Sequence, residues 1–128
     1  MLAKDIEPDK NMIKSLIKSS NNKLESEKQL EMNEITTSSK LSLSYDSVRE
    51  LLEALALKTG YKIYNHECYT SFLKEIIKES DKGDEFDAIR KLRNAVNYYG
   101  KEISVEDANN IISKIRSLRE FVHGLLVK

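Results

Sequence analysis

The sequence predicts an all-α protein, an up-and-down antiparallel bundle of four to five helices. Three observations lead there. One proline, four glycines and no tryptophan in 128 residues leave too few turn formers for a β fold, which needs a turn about every ten residues. Apolar residues recur at intervals of three and four along most of the chain, the period of a helix buried on one side. The breaks between those stretches are short and carry capping residues, among them Gly60, Asn65, Gly100 and Ser104, as suits antiparallel neighbours. Residues 1–128 read as one domain, long enough to bury a core.

The first helix is expected over about residues 9–32. Pro8 suits a first turn and Asp9 its positive end, and Ile13, Leu16, Ile17, Ser20 and Leu24 follow at helical spacing. Beyond Leu24 the run ESEKQLEMNE is mostly polar. The helix is therefore expected to be the loosest element, packed at its start and frayed later, with KLESEKQLE as a solvated face. TTSSK, Thr36 to Lys40, marks a break or a helix start, because short hydroxyl side chains favour caps.

The core bundle is expected over about residues 41–127. In the second helix Leu41, Tyr45, Val48, Leu52, Leu55 and Ala56 form one stripe, and Gly60 ends it. YKIYN is a connector, with Asn65 capping a third helix that buries Tyr69, Phe72, Leu73, Ile76 and Ile77. ESDKGDE reads as a charged loop around Gly83 with Asp84 as a cap. The fourth helix is expected from about Glu85 to Tyr99, burying Phe86, Ile89, Leu92, Val96 and Tyr99 before Gly100 closes it. Ser104 opens the last helix, with Asp107 three residues on. Val105, Ala108, Ile112, Ile115, Val122 and Leu126 form its stripe, widened by Ile111, Leu118 and Leu125, broad enough to serve a core and a partner at once.

Composition narrows the function. The 21 basic and 21 acidic side chains cancel, so any affinity for nucleic acid must come from a local patch. The lone Cys68 forms no internal disulfide, the apolar runs are too short for a membrane span, and MLAKDIEPDK lacks the apolar core of a signal peptide. The expectation is a cytoplasmic protein with no membrane partner. Two isolated histidines, His66 and His123, and one cysteine do not compose a metal site. No glycine loop cradles a phosphate, and no cofactor is indicated.

The informative stretch is RKLRNAVNYYGKEIS. Arg90, Lys91, Arg93 and Lys101 cluster here, after an acidic run from Glu75 to Asp87. Residues four apart share a helix face, which sets Arg93 beside Asn97 and Asn94 beside Tyr98. The planar guanidinium of Arg93 suits phosphate oxygens. Cations near a helix C-terminus are also ordinary surface electrostatics. His66 reads as a capping or surface residue that an antiparallel bundle would bring to the Tyr98 end. Tyr99 falls on the apolar stripe and is expected in the core, whereas Tyr98 lies off it.

SYDSVRELLEALALKTGYKIYNHECYTSFLKEI, with LRNAVNYYGKEISVEDANNIISKIRSL after it, resembles the HEPN family (higher eukaryotes and prokaryotes nucleotide-binding) over roughly residues 41–126. The more specific parts are RN on the penultimate helix, YYG at its end and the S-x-E-D-A entry to the last helix. The resemblance implies a dimerising helical bundle, often a metal-independent endoribonuclease and often paired, as a toxin, with a minimal nucleotidyltransferase. Carried over, Arg93, Asn94 and Tyr98 are the catalytic positions, with Tyr98 where the family has histidine. A tyrosine is a poor base at neutral pH, ionised at roughly one part in a thousand, so weak or absent cleavage is implied. Arg90, Lys91, Arg93, Asn97 and Lys101 would bind RNA phosphate. Tyr98 and Tyr99 neighbour Gly100, the position at which some family members carry an adenylylated tyrosine, and stand as modification targets. The alternative is a non-catalytic dimeric adaptor with a degenerate motif.

Overall fold

A computed structural model describes residues 7–128 and the backbone of Leu2 and Ala3. The remaining N-terminal residues, on which part of the expectation about a leader segment rests, lie outside it. The fold is an all-α bundle: α1 (Lys10–Gln29), α2 (Thr37–Lys58), α3 (Cys68–Ser71), α4 (Ser80–Tyr99) and α5 (Val105–Leu126). α3 runs directly into a π-helical stretch, Phe72–Ile76. A two-residue antiparallel ladder pairs Leu2–Ala3 with Lys62–Ile63 in the connector after α2. No described helix is long and apolar enough to cross a membrane.

The caps are local chemistry. Asp9 accepts from the Met12 amide at 3.0 Å, so Pro8 precedes the cap instead of lying in the first turn. Asn65 accepts from the Cys68 amide at 3.1 Å, and Ser104 from the Asp107 amide at 3.1 Å. Gly100 ends α4 at φ 67°, a left-handed conformation that costs glycine no Cβ clash.

α2 is the central helix, packed against α1, α4 and α5. This explains why Leu51, Ala54 and Leu57 are buried beyond the expected stripe. Tyr45, Phe72, Phe86, Leu52, Ile115 and Leu118 are the large side chains at the centre of the core.

Three further expectations fail, the first two because a distant element intervenes. The polar second half of α1 is anchored, not frayed. The side chain of Glu27 is fully buried and receives Arg116 Nη2 at 2.7 Å, Lys40 Nζ at 3.1 Å and the Ser44 hydroxyl at 3.1 Å. Lys40 Nζ also donates to the carbonyls of Glu27 and Leu30 at the end of α1. Further up, Ser20 is buried, donates to the Ser47 carbonyl at 2.6 Å and accepts from Arg119 Nε at 3.2 Å. α1 is thus stitched to α2 and α5 by polar groups, which an apolar stripe does not reveal.

Gly83 is the second failure. It lies inside α4, which begins at Ser80, so ESDKGDE is the first turns of a helix and Asp84 is not its cap. A Cβ at Gly83 would meet Lys74 Cγ at 2.6 Å and the Thr70 carbonyl at 3.1 Å. The glycine permits α4 to cross the α3 segment closely. Gly83→Val should therefore destabilise the fold by about 1–3 kcal/mol, read as a lower midpoint in urea. An unchanged midpoint would show that the Lys74 side chain and the α3 backbone yield freely. The third failure is Tyr99, expected in the core and found 84% exposed. It occupies the last residue of α4, past Val96, where no other helix covers it.

Candidate phosphate site at the end of the fourth helix

The site starts from Phe86 and Tyr45, both fully buried, whose rings stack with centroids 5.7 Å apart. Tyr69 meets Phe86 edge-on at 6.0 Å. On this aromatic floor lies Arg93, its guanidinium carbon 5.1 Å from the centre of the Tyr45 ring. Tyr98 lies against Arg93 as well, at 5.7 Å, and accepts a hydrogen bond from Arg93 Nη1 at 3.3 Å. Arg93 is thus in contact with two tyrosines, an arrangement in which ring quadrupoles favour the cation. Tyr98 swings back from the helix end over Arg93 and stays 68% exposed.

The charge around Arg93 is weakly neutralised. Its carboxylate, Asp46, is 3.8 Å from Nη2, a loose pair. Neighbouring arginines are better matched: Arg49 with Glu53 at 3.2 Å and Arg90 with Asp87 at 2.8 Å. Arg93 Nε is buried and without a hydrogen-bond partner, as is Arg49 Nε.

His66 reaches the same cluster from the start of the third helical segment. Its Nδ1 is 3.1 Å from the Tyr45 hydroxyl, and its ring lies 5.9 Å from that of Tyr45 and 6.2 Å from that of Tyr69. Desolvation on burial, then the positive charge of Arg49 and Arg93, hold its pKa below the ordinary value, against the opposing effect of Asp46. Burial pushes the Tyr45 hydroxyl up to about 12, with Arg93 and Arg49 opposing. Tyr45 therefore keeps its proton, and its hydroxyl shares one hydrogen bond with His66 Nδ1, the imidazole tautomer setting which of the two donates.

The other predicted residues separate. Asn94 is half-buried and follows Arg93 on α4. Asn97 accepts from the Ser42 hydroxyl at 3.1 Å and so is tied to α2. Arg90 and Lys91 share Asp87, which holds both and is itself kept below the usual carboxylate range by the hydrogen bond from Arg90, burial opposing. Lys101 lies past Gly100 in a groove of about 740 Å³ with Glu34, Glu102, Val96 and Ile103. Neither Arg93 nor Tyr98 lines that groove. The structure thus joins Arg93 and Tyr98 and leaves Lys91 and Lys101 outside the cluster. Sequence reasoning placed Tyr45 only in the core and did not pick out Asp46 or Arg49. The available signal was the Tyr45-Asp46-x-x-Arg49 spacing, which sets Tyr45 and Arg49 on one helix face. The chain matches no family model and no curated protein.

Proposed function

We propose that this protein is a HEPN-type, RNA-associated helical bundle, with Arg93 as its phosphate-binding residue and little or no cleavage activity. The observation that carries this reading is the state of Arg93: held between Tyr45 and Tyr98, yet with its carboxylate only at 3.8 Å. A guanidinium fixed in orientation and weakly neutralised is suited to a phosphate oxygen. The tyrosine in the motif's histidine position supports binding over catalysis, since Tyr98 can donate a hydrogen bond to phosphate without losing its proton. On the family resemblance, the protein would act in the cytoplasm as a homodimer, as the toxin-like member of a pair with a minimal nucleotidyltransferase.

Arg93→Ala should weaken binding of single-stranded RNA at low salt by about tenfold to a hundredfold, the worth of one charge-assisted contact. Fluorescence anisotropy, with helical content checked by circular dichroism, reads this directly. The adaptor reading has its own support, since Tyr98 and Tyr99 are adjacent and exposed, and exposed tyrosines are favoured at interfaces. Equal RNA affinity in wild type and Arg93→Ala would favour the adaptor.

A further inference from the structure

We propose that Arg93, Tyr45 and His66 form one phosphate-anion site in which binding of the anion is coupled to uptake of a proton by His66. The proposal rests on the RNA-binding reading for the identity of the anion, an RNA phosphodiester, and on geometry for the coupling.

The geometry is a relay across one buried ring. Arg93 packs on the face of Tyr45 and His66 hydrogen-bonds its hydroxyl. Charged and titratable groups on two helices act on His66. From α2 they are Tyr45, Asp46 and Arg49, and from α4 they are Arg90 and Arg93. Tyr69, on its own segment, adds a ring contact. Desolvation first, and then the positive charge of Arg49, Arg93 and Arg90 opposed by Asp46, hold the His66 pKa below its ordinary value. A phosphate on Arg93 offsets part of that positive charge and so lowers the Coulombic obstacle to an imidazolium.

The proton then comes from solvent and adds to the ring nitrogen that lacks one. No covalent bond is broken. Both nitrogens of the imidazolium are donors, so the Tyr45 hydroxyl accepts from Nδ1–H there and keeps its own proton. The sign follows from linkage. His66 has a lower pKa free than bound, so the complex holds the extra proton, and affinity rises as pH falls between the bound and free values. One coupled proton sets a limit of about tenfold in affinity per pH unit within that window.

The test has two probes at fixed ionic strength. Dimethyl phosphate, a phosphodiester whose charge is constant across the range, and a short single-stranded RNA are each added while the imidazole resonances are followed by NMR from acid to alkaline pH. His123, exposed on α5, serves as the internal control. The His66 titration should move to higher pH with both probes while His123 stays in place, and RNA affinity should fall with rising pH in wild type and be flat in His66→Gln. A His66 shift with dimethyl phosphate but not with RNA keeps the coupled site and removes the RNA reading. RNA binding with an unmoved His66 overturns the coupling and leaves the RNA reading standing. An unmoved His66 with both probes, or the same pH slope in His66→Gln, overturns the proposal.

Discussion

Replacing Glu27 by alanine should cost about 3–5 kcal/mol, the typical penalty for breaking a buried ion pair by removing one partner. The carboxylate is wholly buried, and its removal leaves Lys40, 7% exposed at its side chain, with only backbone carbonyls near the end of α1. Arg116 is 42% exposed and can turn to water, so Lys40 carries most of the loss. Urea denaturation followed by circular dichroism measures it. A cost under about 1 kcal/mol would mean that α1 detaches without consequence, as the polar sequence of its second half implies. The pH dependence has a definite sign. Burial raises the Glu27 pKa, but hydrogen bonds from Arg116 and Lys40, the charge of Arg116 and the Ser44 hydroxyl together bring it below 4.5. Its stabilisation is therefore complete above the unfolded value and is lost as pH falls through the lower folded value. Glu27→Gln should lose this part of the acid limb.

Phe86→Ala should cost about 3–5 kcal/mol, for lost apolar burial and for the cavity left between α2, α3 and α4. It should also disturb the site. Phe86 stacks on Tyr45, and Tyr45 carries both Arg93 and His66. Without that floor the Tyr45 ring loses its fixed position, so RNA affinity should fall even in the folded fraction. Phe86→Leu keeps most of the volume and should cost less in both measurements. If Phe86→Ala retained full RNA affinity under folding conditions, Arg93 would owe its position to Asp46 and Tyr98 instead of the aromatic floor.

These two residues mark what could and could not be read from the chain. Phe86 was legible as core, because Ile89 and Val96 continue its stripe on the same helix. Glu27 was not, because its side-chain partners lie 13, 17 and 89 residues away in Lys40, Ser44 and Arg116. A glutamate in a polar run carries no mark of which neighbour the fold will bring. Gly83 was misread for a related reason. In isolation a glycine among acids signals a loop, whereas the tight crossing with Thr70 and Lys74 that requires it exists only in the packed bundle.

The sequence by itself determined the all-α class, the extent of α2 and α5, and the caps at Asp9, Asn65, Gly100 and Ser104. All of these depend on groups within about five residues of one another, where helix geometry alone sets the neighbours. Only the tertiary structure decided that α1 is locked by a buried carboxylate, that Tyr99 lies in the open, and that His66 and Tyr45 join Arg93. Those outcomes depend on which helices pack together, and the energy of that packing belongs to pairs of surfaces, not to any one segment.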